Sequence, residues 1–216
     1  MRSALAGLVV LVVLPLLTMA LIPSSGARGA QVSPTSQLPS SRGGQELLGK
    51  PLDLEGVRWV SPRAGTAGTP LKLEGQVTLV RWFTDRCQFC ARSVPAVVQL
   101  REEFGKRGFQ TVAVYHPKPP ASVRDRDATK SAANLGYRGP LAVDADWSVL
   151  SRVYLAKHPE GATSVSFLLD KSGIVRYVHP GPEFGPTAEP DLKQVNQDYE
   201  DIKAAIEILL AESPDR

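Results

Sequence analysis

Cysteine is scarce in this chain, with two residues in 216. That count excludes a small scaffold stapled by several disulfides, and equally a structural zinc site of four cysteines. One-sided charge is missing as well: 25 Lys and Arg oppose 22 Asp and Glu, a formal net charge of +3. There is no run of basic residues, so no nucleic-acid partner is expected. There is no internal repeat, and histidine occurs only at His116, His158 and His179. What is present is an apolar fraction of 43%, enough for one globular domain with a sizeable core. The two cysteines lie close together, at Cys87 and Cys90.

The N-terminus has its own pattern. Arg2 gives a short basic start, Ala4 to Ile22 carries no charge, and Ser24, Ser25, Gly26 and Ala27 are small. This is the layout of a secretory signal, with cleavage expected after Ala27. The apolar run is also about long enough to cross a bilayer, so a retained anchor is the alternative. Either outcome places residues 31–216 outside the cytoplasmic membrane, in the periplasm or at the cell surface. Residues 1–30 are therefore assigned to a signal peptide or membrane anchor. Residues 31–46, rich in Ser, Pro, Gly and Gln, read as a flexible tether. The folded domain is expected over 47–212.

Within that domain, Val77–Phe83 is a β-branched apolar run and reads as a buried strand. Cys90 to Arg107 has helical apolar spacing and stops at Gly108. A strand is expected at Phe109–Tyr115, a helix at Val123–Leu135, a short strand at Leu141–Val143 and a helix at Trp147–Ala156. Ser164–Leu169 and Ile174–Val178 form a hairpin around Asp170-Lys-Ser-Gly173. A last helix spans Asp191–Glu212. Parallel strands followed by an antiparallel hairpin imply an α/β layer fold with a mixed sheet. Trp82 and Trp147 are expected in the core, and Trp59 over an N-terminal hairpin.

Cys87-Gln-Phe-Cys90 falls between the end of a strand and the start of a helix. That spacing puts both sulfurs on one face of the first helical turn, close enough to bridge. The helix N-terminus favours a thiolate on Cys87, and Arg86 adds a positive charge beside it. A thiolate is the form that attacks a disulfide. A purely structural bridge is the weaker reading, because closing so short a loop removes little chain entropy. A metal site is weaker too, because two thiols lack partners unless the histidines fold onto them.

The stretch from Leu73 to Cys90, LEGQVTLVRWFTDRCQFC, resembles the signature of thioredoxin-fold proteins. The nearest group is the exported TlpA/ResA-like and redoxin-like proteins. Pro95 matches a helix proline of that group, and Phe167–Asp170 with Gly173-Ile-Val matches its hairpin. The resemblance spans roughly Leu47 to Leu210. It implies a thioredoxin fold, a mixed central sheet flanked by helices, here with an N-terminal hairpin extension. It also implies an extracytoplasmic thiol–disulfide oxidoreductase with Cys87 attacking and Cys90 resolving. Its partners would be protein thiols and disulfides or a redox partner protein, with no cofactor and no resident metal.

Three positions depart from the family pattern. Arg86 precedes the first cysteine where Trp or a small residue is usual. Arg81 stands where thioredoxins carry a buried proton-accepting acid. Ser164, after Thr163, stands where the family has a cis-proline that shapes the substrate groove. We expect Arg81 and Arg86 to stabilise the Cys87 thiolate together; the competing reading pairs Arg81 with Asp85 or another acid. The fold also brings His116-Pro117 and His179-Pro180-Gly-Pro-Glu183 to the rim that carries Cys87. One imidazole or Glu183 could replace the missing acid as a proton shuttle. The simpler reading is that each histidine ends a strand in solvent.

Two other functions remain on the residues alone. Thr84-Asp-Arg-Cys87 matches part of the peroxidatic motif of peroxiredoxins, although that motif's proline would fall at Val80 and its arginine at Ser164. A copper-handling thioredoxin-fold protein is the third reading. Such proteins favour three residues between the cysteines and a histidine before the hairpin, and this chain has neither.

Overall fold

The computed structural model describes residues 37–60 and 68–213. The proposed signal or anchor segment lies outside the described residues. Among them, no helix is long and apolar enough to cross a membrane.

Strand β2 (Val77–Phe83) is buried along its whole length, as a central strand covered on both faces must be. Helix α1 (Gln88–Phe104) follows, and it buries Val94, Val97, Leu100 and Phe104 as one stripe despite Pro95 within it. A 3₁₀ turn (Gly105–Arg107) and Gly108, at φ 95°, end it. A left-handed stop of this kind favours glycine. Strand β3 (Phe109–Tyr115) then runs parallel to β2, from Val77 opposite Phe109 to Phe83 opposite Tyr115.

Helix α2 (Asp125–Asn134) leads to β4 (Leu141–Val143), parallel to β3. The helix expected at Trp147–Ala156 is instead one turn, α3 (Ser148–Leu150), continued by a wider π turn (Ser151–Leu155). Asp144 sets its start: the carboxylate accepts from Val149 N–H at 3.2 Å, Leu150 N–H at 2.7 Å and Trp82 Nε1–H at 3.2 Å. Strands β5 (Ser166–Leu169) and β6 (Val175–His179) form the expected hairpin, and α4 (Lys193–Ala211) closes the chain.

With β1 at Arg58–Trp59, the sheet order is β1-β4-β3-β2-β5-β6, with β5 antiparallel to β2. β1 (Arg58–Trp59) corrects one expectation. Among the described residues the N-terminal extension forms no hairpin; this strand pairs antiparallel with β4. It covers a sheet edge that would otherwise expose unpaired backbone groups. The start of the packed chain is also earlier than Leu47. Ser41 Oγ accepts from Val178 N–H at 2.9 Å, and Arg42 pairs with Asp198 at 2.9 Å, so the C-terminal part of the expected tether is docked.

Two apolar layers sandwich the sheet. Val77, Leu79 and Phe83 face α1, α2 and α4, while Val80 and Trp82 face α3 and the N-terminal extension. Arg81 falls on the α1 side, by the alternation of β2, among the groups that surround Cys90.

Candidate functional site

The turn after β2 delivers the dithiol. Arg86 takes φ 53°, an uncommon backbone for a residue with a side chain, and leaves that side chain exposed. Cys87 is then the N-cap of α1, and its Sγ accepts the Cys90 N–H at 3.3 Å. Both thiols are free, Cys87 half-buried and Cys90 buried. The first thiol is therefore reachable and the second is not.

Cys87 lines a groove of about 740 Å³. Thr84, Asp85, Arg86 and Phe89 line it from the dithiol turn, Tyr115, Pro117, Lys118 and Pro119 from the end of β3, and Thr163, Ser164 and Pro182 from the β5–β6 side. Phe89 is 37% exposed, unusual for a large apolar side chain among the described residues. Tyr115 Oη–H donates to Asp85 Oδ1 at 3.0 Å; burial and the neighbouring carboxylate push the phenol up to about 12. Trp147, half-buried rather than a core residue, pins the groove's proline loop by donating Nε1–H to Pro117 O at 2.7 Å.

Behind the groove, Cys90 Sγ lies 3.4 Å from Ser164 Oγ. Burial pushes the Cys90 thiol up, and the Arg81 charge, the Ser164 hydroxyl and the Thr84 backbone pull it back. Arg81 is 1% exposed. Its Nη1–H donates to Ser166 Oγ at 3.0 Å and its Nη2–H to Pro182 O at 2.6 Å. The guanidinium stacks over Phe184, 5.0 Å from the ring centre, and Nε has no partner. Burial pushes its pKa down to about 10, against which Cys90, then Cys87 and more weakly Glu183 act. The competing pairing of Arg81 with Asp85 is not made; Asp85 accepts from Tyr115. Arg81 and Arg86 do not form a pair around Cys87 either. Arg86 is exposed, and Arg81 lies in the interior beside Cys90.

The histidines correct the solvated reading. His116 is 0% exposed, edge-on to Trp147, and neither ring nitrogen has a hydrogen-bond partner. Burial pushes it down to about 4, so it is neutral at pH 7. His179 is equally buried. Its Nδ1 accepts Gly181 N–H at 3.2 Å, which leaves Nε2–H facing Asp198 Oδ2 at 3.1 Å. Burial holds its pKa below the usual histidine range. The strand ends that carry them are roofed, one by Trp147 and one by Phe184 and α4. Glu183 is held by Arg92 at 3.1 Å.

Asp198 and Ser166 were not singled out from the sequence. Asp198 had a signal, because it sits on the apolar stripe of α4 with Ile202, Ala205 and Leu209. Among the described residues no three His, Cys, Asp or Glu side chains group to hold a metal ion. The charge beside the buried thiol is a cation, which repels one.

The Redoxin family model matches residues 60–195, more than half of the chain and all of the sheet except β1. This chain belongs to the Redoxin family. It has the thioredoxin fold. The redoxin is 26% identical over 157 residues to the protein DipZ of Mycobacterium bovis, covering 72% of this chain. It spans 22% of the length of that curated relative. Among solved structures, a protein assigned as thiol:disulfide interchange protein DsbE from Chlorobium tepidum is 23% identical, with a TM-score of 0.51 over 74% of this chain and 97% of that one. A candidate protein disulfide isomerase from Bacteroides thetaiotaomicron is 13% identical, with a TM-score of 0.55 over 76% of this chain and 91% of that one. These structural likenesses bear on the fold.

Proposed function

We propose that this redoxin is an extracytoplasmic thiol–disulfide oxidoreductase working through Cys87 and Cys90. One observation carries the reading: two free thiols three residues apart, one at a groove and capping a helix, the other buried behind it. The Cys87 thiolate attacks a partner disulfide and forms a mixed disulfide. Cys90 then attacks Cys87 Sγ, the intramolecular disulfide forms, and the partner sulfur leaves reduced. The reverse sequence oxidises a partner dithiol. The groove, with Phe89, Pro117, Pro119 and Pro182 along it, suits an extended segment of a protein partner. The thiol:disulfide interchange name of the Chlorobium structure points the same way. Location outside the cytoplasmic membrane rests on the basic start and uncharged run from Ala4 to Ile22.

The test is insulin reduction by dithiothreitol. The protein accelerates it, and Cys87→Ser returns the rate to that of buffer; unchanged acceleration by Cys87→Ser would exclude the reading.

A peroxidase reading keeps one supporting observation. Thr84 lines the groove, and its Oγ1 is buried without a partner, a free donor near the dithiol. Hydrogen peroxide consumption that depends on Cys87 and Thr84 would favour it, and none above buffer would remove it.

A further inference from the structure

Resting on the thiol–disulfide reading above, we propose that Arg81 is a positioning residue for Cys90: its buried guanidinium, with the Ser164 hydroxyl, holds the Cys90 sulfur as the thiolate that resolves the mixed disulfide.

Register comes first. Arg81 on β2 lies opposite Ser166 on β5, and Ser166 lies opposite His179 on β6. The three residues form a polar row on the face that also holds Cys90. Anchoring comes second. Nη1 and Nη2 are each fastened to β5 or the loop after β6, and Phe184 lies under the guanidinium plane, so the charge cannot swing to solvent. Pairing comes third. Among the described residues no carboxylate bonds Arg81, and Glu183, whose charge reaches it, is taken by Arg92. A buried cation without a carboxylate needs an anion. The thiol sites are the groups that act on it most, Cys90 before Cys87.

Burial makes deprotonation of Cys90 costly, yet resolution requires it. A guanidinium cannot accept a proton, so Arg81 acts by stabilising the anion after the proton has gone. The step balances simply. Cys90 S–H loses its proton, its sulfur bonds Cys87 Sγ, and the bond from Cys87 to the partner sulfur breaks. The proton ends, by way of solvent, on the departing partner thiolate. Other titratable groups around the pocket are His116 after β3, His179 on β6, Glu183 beyond it and Cys87 on α1. Both histidines are neutral near pH 7, and Cys87 is tied up in the mixed disulfide at this step. The pH dependence of resolution above pH 7 therefore reports Cys90 against Arg81.

The experiment uses the reduced protein and the disulfide probe dithiobis(nitrobenzoate) in a stopped-flow instrument. Wild type releases nitrothiobenzoate twice, first when Cys87 attacks and again when Cys90 resolves; Cys90→Ser gives only the first release. Contact with an opposite charge moves a pKa by about one to three. Each tenfold loss of thiolate is offset about threefold by higher nucleophilicity. Arg81→Met should therefore slow the second release by roughly 3- to 30-fold at pH 7 and displace its pH profile upward, with the first release slowed less. Arg81→Lys, which keeps the charge, should recover part of the rate. Ser164→Ala, which removes only a hydroxyl, should slow the second release by about threefold and decides the matter if the Arg81 variants do not fold. Equal slowing of both releases, an unshifted pH profile in Arg81→Met, or a normal second release in Ser164→Ala would overturn the proposal. Absence of a second release in wild type would instead overturn the dithiol reading itself.

Discussion

Two sulfurs three residues apart on one helix turn sit in opposite surroundings. Around Cys87 there is a groove with an exposed phenylalanine, an exposed arginine and a helix N-terminus. Cys90 is shut off from solvent, beside a serine hydroxyl and near a buried arginine that has the ring of Phe184 against it. The CxxC spacing is identical for both thiols, so it cannot explain the difference. The difference comes from the sheet: β2 brings a cation to the inner sulfur, and the turn at Arg86 presents the outer one.

Substitutions that break this contrast should show it in different observables. The largest effect is on turnover. Cys87→Ser should lose disulfide exchange altogether, while Cys90→Ser keeps the first attack and loses release, measured as adduct by mass spectrometry. Next comes the inner wall. Phe184 is fully buried, so Phe184→Ala should lower unfolding free energy by about 3–5 kcal/mol in a urea titration. At the lip, Phe89→Ala should stay within about 0.5 kcal/mol of wild type while weakening exchange with a protein substrate more than with a small disulfide.

Acid sharpens the contrast from the interior. His116 is held neutral down to about pH 4, whereas an unfolded histidine takes a proton near 6.5. A folded pKa below the unfolded one gives stability that is complete above about pH 6.5 and lost as pH falls toward 4. That loss should reach about 3 kcal/mol from His116, and His179 adds to it in the same direction. His116→Phe should flatten the acid limb, because no group that takes up a proton is left at that buried position. His179→Phe should cost about 1–3 kcal/mol at pH 7, because Asp198 loses its buried partner. Urea midpoints at pH 7 and pH 4.5 check both.

Much of this architecture was legible in the residues. Val77–Phe83, Phe109–Tyr115 and the Asp170–Gly173 turn carry their own periodicity and turn chemistry, so the central strands and hairpin followed from local pattern. The two cysteines were legible because their spacing and the flanking strand–helix transition are local too. What was hidden depends on contacts between distant segments. Nothing near His116 announces that Trp147, 31 residues on, will roof it. Arg81 could be read as a departure from the family, but its choice of Cys90 over Cys87 comes from the facing of β2 against α1. Asp198 shows why a carboxylate inside an apolar stripe merits a partner search, since its partners are His179, Arg42 and Gln194.

Trapping the mixed disulfide tests the division of labour between the two thiols most directly. Each single-cysteine variant is mixed with a peptide disulfide at pH 7 and followed by intact-mass spectrometry. Cys90→Ser should accumulate a one-peptide adduct on Cys87 rapidly, and Cys87→Ser should accumulate none over the same interval. Adduct on Cys90 in Cys87→Ser at a comparable rate would contradict the account.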